Sequence, residues 1–188
     1  MEFPEPPSPI DLVTECFRTA TANVEQMYFQ LKVTGTENTK HLERVYCYEL
    51  YHQMRLRWPK VPHKLTGEID KSGNPRIRHA ILNRSKPDFT IHVPGDMTDN
   101  LLVIEVKARD PVDYKVQRDL LKLSEFRRSA GYTAAYYLTY GFNQHEAGEF
   151  AANCVHLAAH DNLIDLTKIV LFNQSSAGTK AVEIPWRI

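Results

Sequence analysis

Apolar positions 13, 16, 17, 20, 24, 27, 28 and 31 recur at helical spacing near the start of the chain. Ser8 precedes them as an N-cap, with Pro9 at the first helical position and Asp11 three residues after the cap, and Gly35 breaks the run. A second helix is predicted over 38–58, stopping before Pro59. A strand around 63–69 and a turn at 71–74 follow. The period then changes from helical to alternating, in two short apolar runs at 88–93 and 101–106. Asp110 and Pro111 open a helix that ends near Gly131, with Arg127 and Arg128 in its last turn. A strand at 133–140, a helix at 144–162 and two strands at 166–172 and 181–187 complete the layout α-α-β-β-β-α-β-α-β-β. The expected organisation is one globular α/β unit, with residues 1–37 as a tail and accessory helix and 38–188 as the main domain.

The alternating runs carry the informative chemistry. Leu102, Ile104 and Val106 share one face of the second run, and Val103, Glu105 and Lys107 share the other. In the first run Phe89, Ile91 and Val93 oppose Asp88, Thr90 and His92. Paired as an antiparallel hairpin, the runs bring Asp88 near Glu105. Ionised carboxylates beside a lysine in an apolar setting are costly unless something pairs with them. A hard cation such as Mg²⁺ (or Mn²⁺) takes oxygen ligands and keeps several waters, so Asp88, Glu105 and the backbone carbonyl of Val106 are its candidate ligands. Lys107, two residues after Glu105, is the candidate group for a scissile phosphate and its developing charge. The bland alternative is an edge hairpin with a surface Glu105–Lys107 ion pair.

Other candidates are weaker. On the second helix, Leu42, Tyr46, Cys47, Leu50, Gln53 and Met54 form one broad face with Glu43 inside it. Glu43 is either a further site acid or a boundary residue paired with a base; Glu49 and Glu68 are the alternative acids. Between Asp70 and Asp88 the chain carries Lys71, Arg76, Arg78, Arg84 and Lys86 and no acid, which suits phosphate contacts or a solvated loop. Lys122 is either a phosphate contact or a solvated lysine. His156 and His160 stand four apart on a helix without a matching third ligand. Tyr132, Tyr136, Tyr137 and Tyr140 are read as a strand packing against helices rather than a stacking stripe.

Composition narrows the setting. The chain has 188 residues, 43% of them hydrophobic, enough for a real core. Its 23 basic and 23 acidic residues cancel, which argues against nonspecific coating of nucleic acid but allows a local basic patch. The three cysteines are not in metal spacing and suit a reducing compartment. No run is long and apolar enough for a membrane, and the acidic, proline-rich start is unlike a secretory leader, so a cytoplasmic protein is expected.

Four segments together resemble the PD-(D/E)XK, or restriction endonuclease-like, nuclease superfamily. They are Glu43-Arg44, Pro87-Asp88-Phe89-Thr90-Ile91-His92, Asn100 through Lys107, and Asp119-Leu120-Leu121-Lys122-Leu123-Ser124-Glu125-Phe126. Within it they look like a group of small bacterial and phage-type proteins of uncharacterised role. The resemblance covers roughly 38–141. It implies an α-β-β-β-α-β core with a mixed central sheet flanked by helices, here with an extra N-terminal helix and C-terminal strands. It also implies a metal-dependent nuclease with Asp88, Glu105 and Lys107 in the active site. DNA is then the expected substrate, with a homodimer or a partner protein as the source of specificity. The alternative is a restriction-like module with little catalysis that binds nucleic acid or a protein.

Overall fold

The computed structural model describes residues 6–32, 35, 38–67, 86–96 and 98–187. Its centre is a six-stranded mixed sheet in the order β3-β4-β5-β6-β7-β8, formed by Lys64–Gly67, Phe89–His92, Asn100–Ala108, Ala134–Tyr140, Ile169–Gln174 and Val182–Ile184. β3, β4 and β5 run antiparallel in sequence, β5, β6 and β7 are parallel, and β8 returns antiparallel. Parallel neighbours need a crossover, and α4 (Asp113–Ser129) and α5 (Gln144–Ala159) supply the two. A separate two-stranded ribbon joins β1 (Leu31–Lys32) to β2 (Thr39–Lys40).

Two apolar layers sandwich the sheet. On one face α1 (Pro9–Thr21) and α3 (Glu43–Leu56) pack Val13, Phe17, Tyr46, Leu50 and Met54 on Phe89, Ile91, Leu102, Ile104 and Val106. On the other, α4 and α5 pack Val116, Leu120, Leu123, Phe126 and Phe150 on Val103, Ala135, Tyr137 and Leu171. The four tyrosines expected to pack in the strand region are all buried. Among the described residues no helix is long and apolar enough to cross a membrane.

Several boundaries differ from expectation, each for a local reason. The Ser8–Asp11 capping box starts α1 as expected, but the helix stops at Thr21 rather than near Gly35. The Thr21 carbonyl accepts a hydrogen bond from Gln174 Nε2 (2.8 Å), and Asn23 turns its amide back onto the Thr19 carbonyl. Side chains thus satisfy groups that a continuing helix would use. A four-residue helix α2 (Gln26–Phe29) takes up the next apolar positions. α3 starts at Glu43 instead of 38 because Thr39 and Lys40 pair with β1. α4 starts at Asp113 instead of 110–111: the Arg109 amide still donates to the Tyr140 carbonyl, and Asp110 turns the chain with φ 60°. The final strands shorten to β7 and β8, a 3₁₀ turn taking Leu166–Lys168.

Candidate active site

The β4–β5 register decides the geometry. Phe89 stands opposite Ile104, so the next position out places Asp88 opposite Glu105, both on the face turned toward α4. Asp88 Oδ2 accepts a hydrogen bond from the Val106 amide at 2.7 Å. Glu105 Oε1 accepts one from Lys122 Nζ at 2.7 Å, across from α4. Each carboxylate keeps its other oxygen without a hydrogen bond among the described residues.

Lys107 lies on the same face near the end of β5, and its ammonium is held twice. Asp119 Oδ2 of α4 is 2.9 Å away and Glu43 Oε2 of α3 is 3.2 Å away. Glu43 also accepts a hydrogen bond from the Ala108 amide, which anchors the first turn of α3 to the end of β5. Asp119 Oδ1 completes the cluster at 3.4 Å from Lys122 Nζ. Glu105 and Asp119 are 4% and 2% exposed, whereas the Glu43 side chain is 42% exposed and marks the mouth.

The electrostatics show an unbalanced cluster. Four carboxylates (Glu43, Asp88, Glu105 and Asp119) face two ammonium groups, an excess of two negative charges if all six are ionised. Burial pushes Asp88 up to about 6, against the Val106 hydrogen bond and the two lysines. Burial, and then the charge of Asp88, raise Glu105 well above the carboxylate range despite Lys122. Burial alone would lower both lysines. Asp119 and Glu43 outweigh it for Lys107, and Glu105 and Asp119 do so for Lys122, so both are raised and stay charged.

Asp88, Glu105, Lys107 and Glu43 therefore gather at one place. Glu49 does not join them: it is buried and bonds Gln53 Nε2 at 2.5 Å. Leu42, expected on the core face, is exposed at the N-cap of α3. Lys122 is neither solvated nor turned outward, because it is pinned inside the acid cluster. Val106 contributes its N–H to Asp88. Lys86 is exposed beside Pro87, while Glu68, Lys71, Arg76, Arg78 and Arg84 lie outside the described residues. His156 lies in the last turn of α5 and His160 caps its end, His160 Nδ1 lying 2.8 Å from the His156 carbonyl. Among the described residues no three acid, histidine or cysteine side chains form a metal-holding group, there or at the acid cluster.

Sequence reasoning missed two groups. Asp119 was visible only as part of a helix pattern; its spacing of three from Lys122 was the available signal. The Tyr137 hydroxyl, on the strand position paired with Glu105, is buried with no hydrogen-bond partner among the described residues. Burial first, and then Asp119, hold its pKa well above the phenol value, so it remains a proton donor in want of an acceptor.

Asp119 should act as the clamp of this cluster. Asp119→Asn preserves shape but removes the charge between two ammonium groups, so a loss of about 2 kcal/mol is expected in denaturant unfolding. A stability equal to wild type would show that the two lysines do not need it.

No protein-family model, curated protein or solved structure matches the chain.

Proposed function

We propose that the chain is a divalent-metal-dependent phosphodiesterase acting on nucleic acid, with DNA as its expected substrate, built on a restriction endonuclease-like core. The observation that carries this reading is the placement of Asp88 opposite Glu105 on one face of β4–β5, with Lys107 two residues further on. The element order from α3 to β6 is the α-β-β-β-α-β that the sequence resemblance implies.

Mg²⁺ or Mn²⁺ fits the donor set. Asp88 and Glu105 offer hard oxygens, one of each unengaged among the described residues, and two protein ligands suit an ion that retains waters. When bound, such an ion polarises a phosphate oxygen and lowers the pKa of a coordinated water. The chain's own groups divide the remaining work. Lys107 presents a permanently charged ammonium to the phosphate and to charge that develops there. Asp119 fixes its direction, and Lys122 neutralises part of Glu105 so that both acids can ionise side by side. Glu43, at the open mouth, is placed to orient water.

One observation favours the alternative of a binding module with little catalysis. Lys122 and Asp119 already satisfy much of the cluster internally, and among the described residues no three of its acids are arranged to hold a metal ion. Metal-dependent stabilisation separates the two readings without relying on activity. Asp88 in the folded protein is raised above its unfolded value, so the folded state holds the extra proton. Stability from this group is therefore full below about pH 4 and is lost as pH rises through about 6. A cation should compete with that proton. With about 10 mM Mg²⁺ and a millimolar site, Tm should rise by roughly 3–6 °C at pH 8 and hardly at all at pH 5. Asp88→Asn should abolish the shift. An unchanged shift in that variant would place the cation elsewhere, and no shift at any pH would favour the module.

A further inference from the structure

α3 carries a second feature on the stripe next to Glu43. Cys47, Tyr48 and Tyr51 recur at helical spacing and line a cleft of about 570 Å³ that faces Phe89 and Gly67 of β4 and β3. Asp88 and Glu43 also line this cleft, so it borders the acid cluster. Tyr48 is 65% exposed at the rim and belongs to neither buried core among the described residues. Tyr51 lies nearly parallel to Phe89, with ring centroids 6.4 Å apart and planes at 19°, giving a flat aromatic wall behind it.

We propose that this cleft receives one unpaired nucleobase of the strand whose phosphate lies at Asp88, Glu105 and Lys107, so that the substrate is single-stranded nucleic acid. The inference rests on the phosphodiesterase reading for the position of the phosphate. The cleft volume falls within the roughly 300–1,000 Å³ of sites that hold one small ligand. A duplex would need a surface that tracks a groove about 12 Å wide, and its bases could not enter. Every base has a π-face, so an exposed tyrosine above an aromatic wall binds bases without choosing among them. On the far side of Glu43 a second groove leads from Lys107 past Arg109 to Lys115; Asp110 also lines it and pairs with Arg109, so three cations stand against Glu43 and Asp110. The neighbouring backbone phosphate of an extended strand would lie by Arg109 and Lys115. The order along the surface is thus aromatic cleft, acid cluster, and a groove with a small excess of positive charge.

The test uses the full chain and three fluorescein-labelled probes of equal length: oligothymidylate, oligouridylate and a blunt DNA duplex. Binding is read by anisotropy with Ca²⁺ in place of Mg²⁺. Wild type should prefer a single strand, and the first two probes tell which sugar it accepts. Tyr48→Ala should weaken single-strand binding roughly 5- to 100-fold, Tyr48→Phe should retain it, and duplex binding should follow neither change. Tyr48 supports no core packing among the described residues, so circular dichroism should match wild type. Equal single-strand affinity in wild type and Tyr48→Ala overturns the proposal, as does tighter binding of the duplex. If affinity falls in Tyr48→Ala while wild type cuts nothing with Mg²⁺ or Mn²⁺, the base cleft stands and the hydrolase reading falls. If wild type cuts and Tyr48→Ala binds and cuts alike, the hydrolase stands and the base cleft falls.

Discussion

Asp88→Asn and Glu105→Gln are each expected to cut metal-dependent cleavage by roughly a thousandfold or more, with the protein still folded. Both side chains sit opposite each other on adjacent strands, and each has one oxygen already engaged, so neither can replace the other at a cation. Their effects on stability should run the other way at neutral pH. An acid raised to about 6 weakens the fold once it ionises, by roughly 2–3 kcal/mol for Asp88 when compared with its unfolded value. Asn at that position can still accept from the Val106 amide without carrying the charge, so Asp88→Asn should be more stable than wild type at pH 8 and indistinguishable near pH 4. Glu105→Gln keeps an acceptor for Lys122 and relieves the same crowding. Parallel cleavage assays and urea titrations at the two pH values check both halves. An active Asp88→Asn enzyme would remove Asp88 from the chemistry. An inactive but less stable variant at pH 8 would mean that its carboxylate is structural.

The second large effect belongs to Lys107. On the phosphodiesterase reading, Lys107→Ala is expected to lower turnover by about 10²- to 10³-fold, because it removes the permanent positive charge that meets the phosphate. From the sequence alone, Lys107→Ala is expected to leave the fold largely intact. Its contacts say otherwise: the side chain is only 13% exposed and is the 2.9 Å partner of buried Asp119. Removing it strands a carboxylate that then shares Lys122 with Glu105, and a loss of about 3 kcal/mol is expected. Lys107→Ala combined with Asp119→Asn should recover much of that stability, since the stranded charge goes with its partner, but it should recover no turnover. Turnover and stability that return together in the double variant would show that Lys107 acts through the fold alone.

Much of the architecture was legible because it depends on local patterns. The Ser8-Pro9 start of α1, the alternation in β4 and β5 and the antiparallel pairing that sets Asp88 against Glu105 all follow from periodicity and turn chemistry between near neighbours. The helix boundaries were read less well where distant groups intervene. Gln174 claims the Thr21 carbonyl from far along the chain, and no pattern around residue 21 announces it.

The site divides along the same line. The hairpin alone determined which face Asp88, Glu105 and Lys107 share, because the side-chain period of a strand is two. Only the tertiary structure decided what surrounds them. The β5-α4-β6 crossover lays α4 over that face, turning Lys122 from a surface lysine into the counter-ion of Glu105 and making Asp119 the bridge between two ammonium groups. The packing of α3 brings Glu43, at its start, to the end of β5, where the Ala108 amide and Lys107 hold it. Periodicity along one element determines which face a side chain occupies. Charge balance, burial and the resulting pKa shifts depend on which elements pack together, so they were settled only when the helices closed over the sheet.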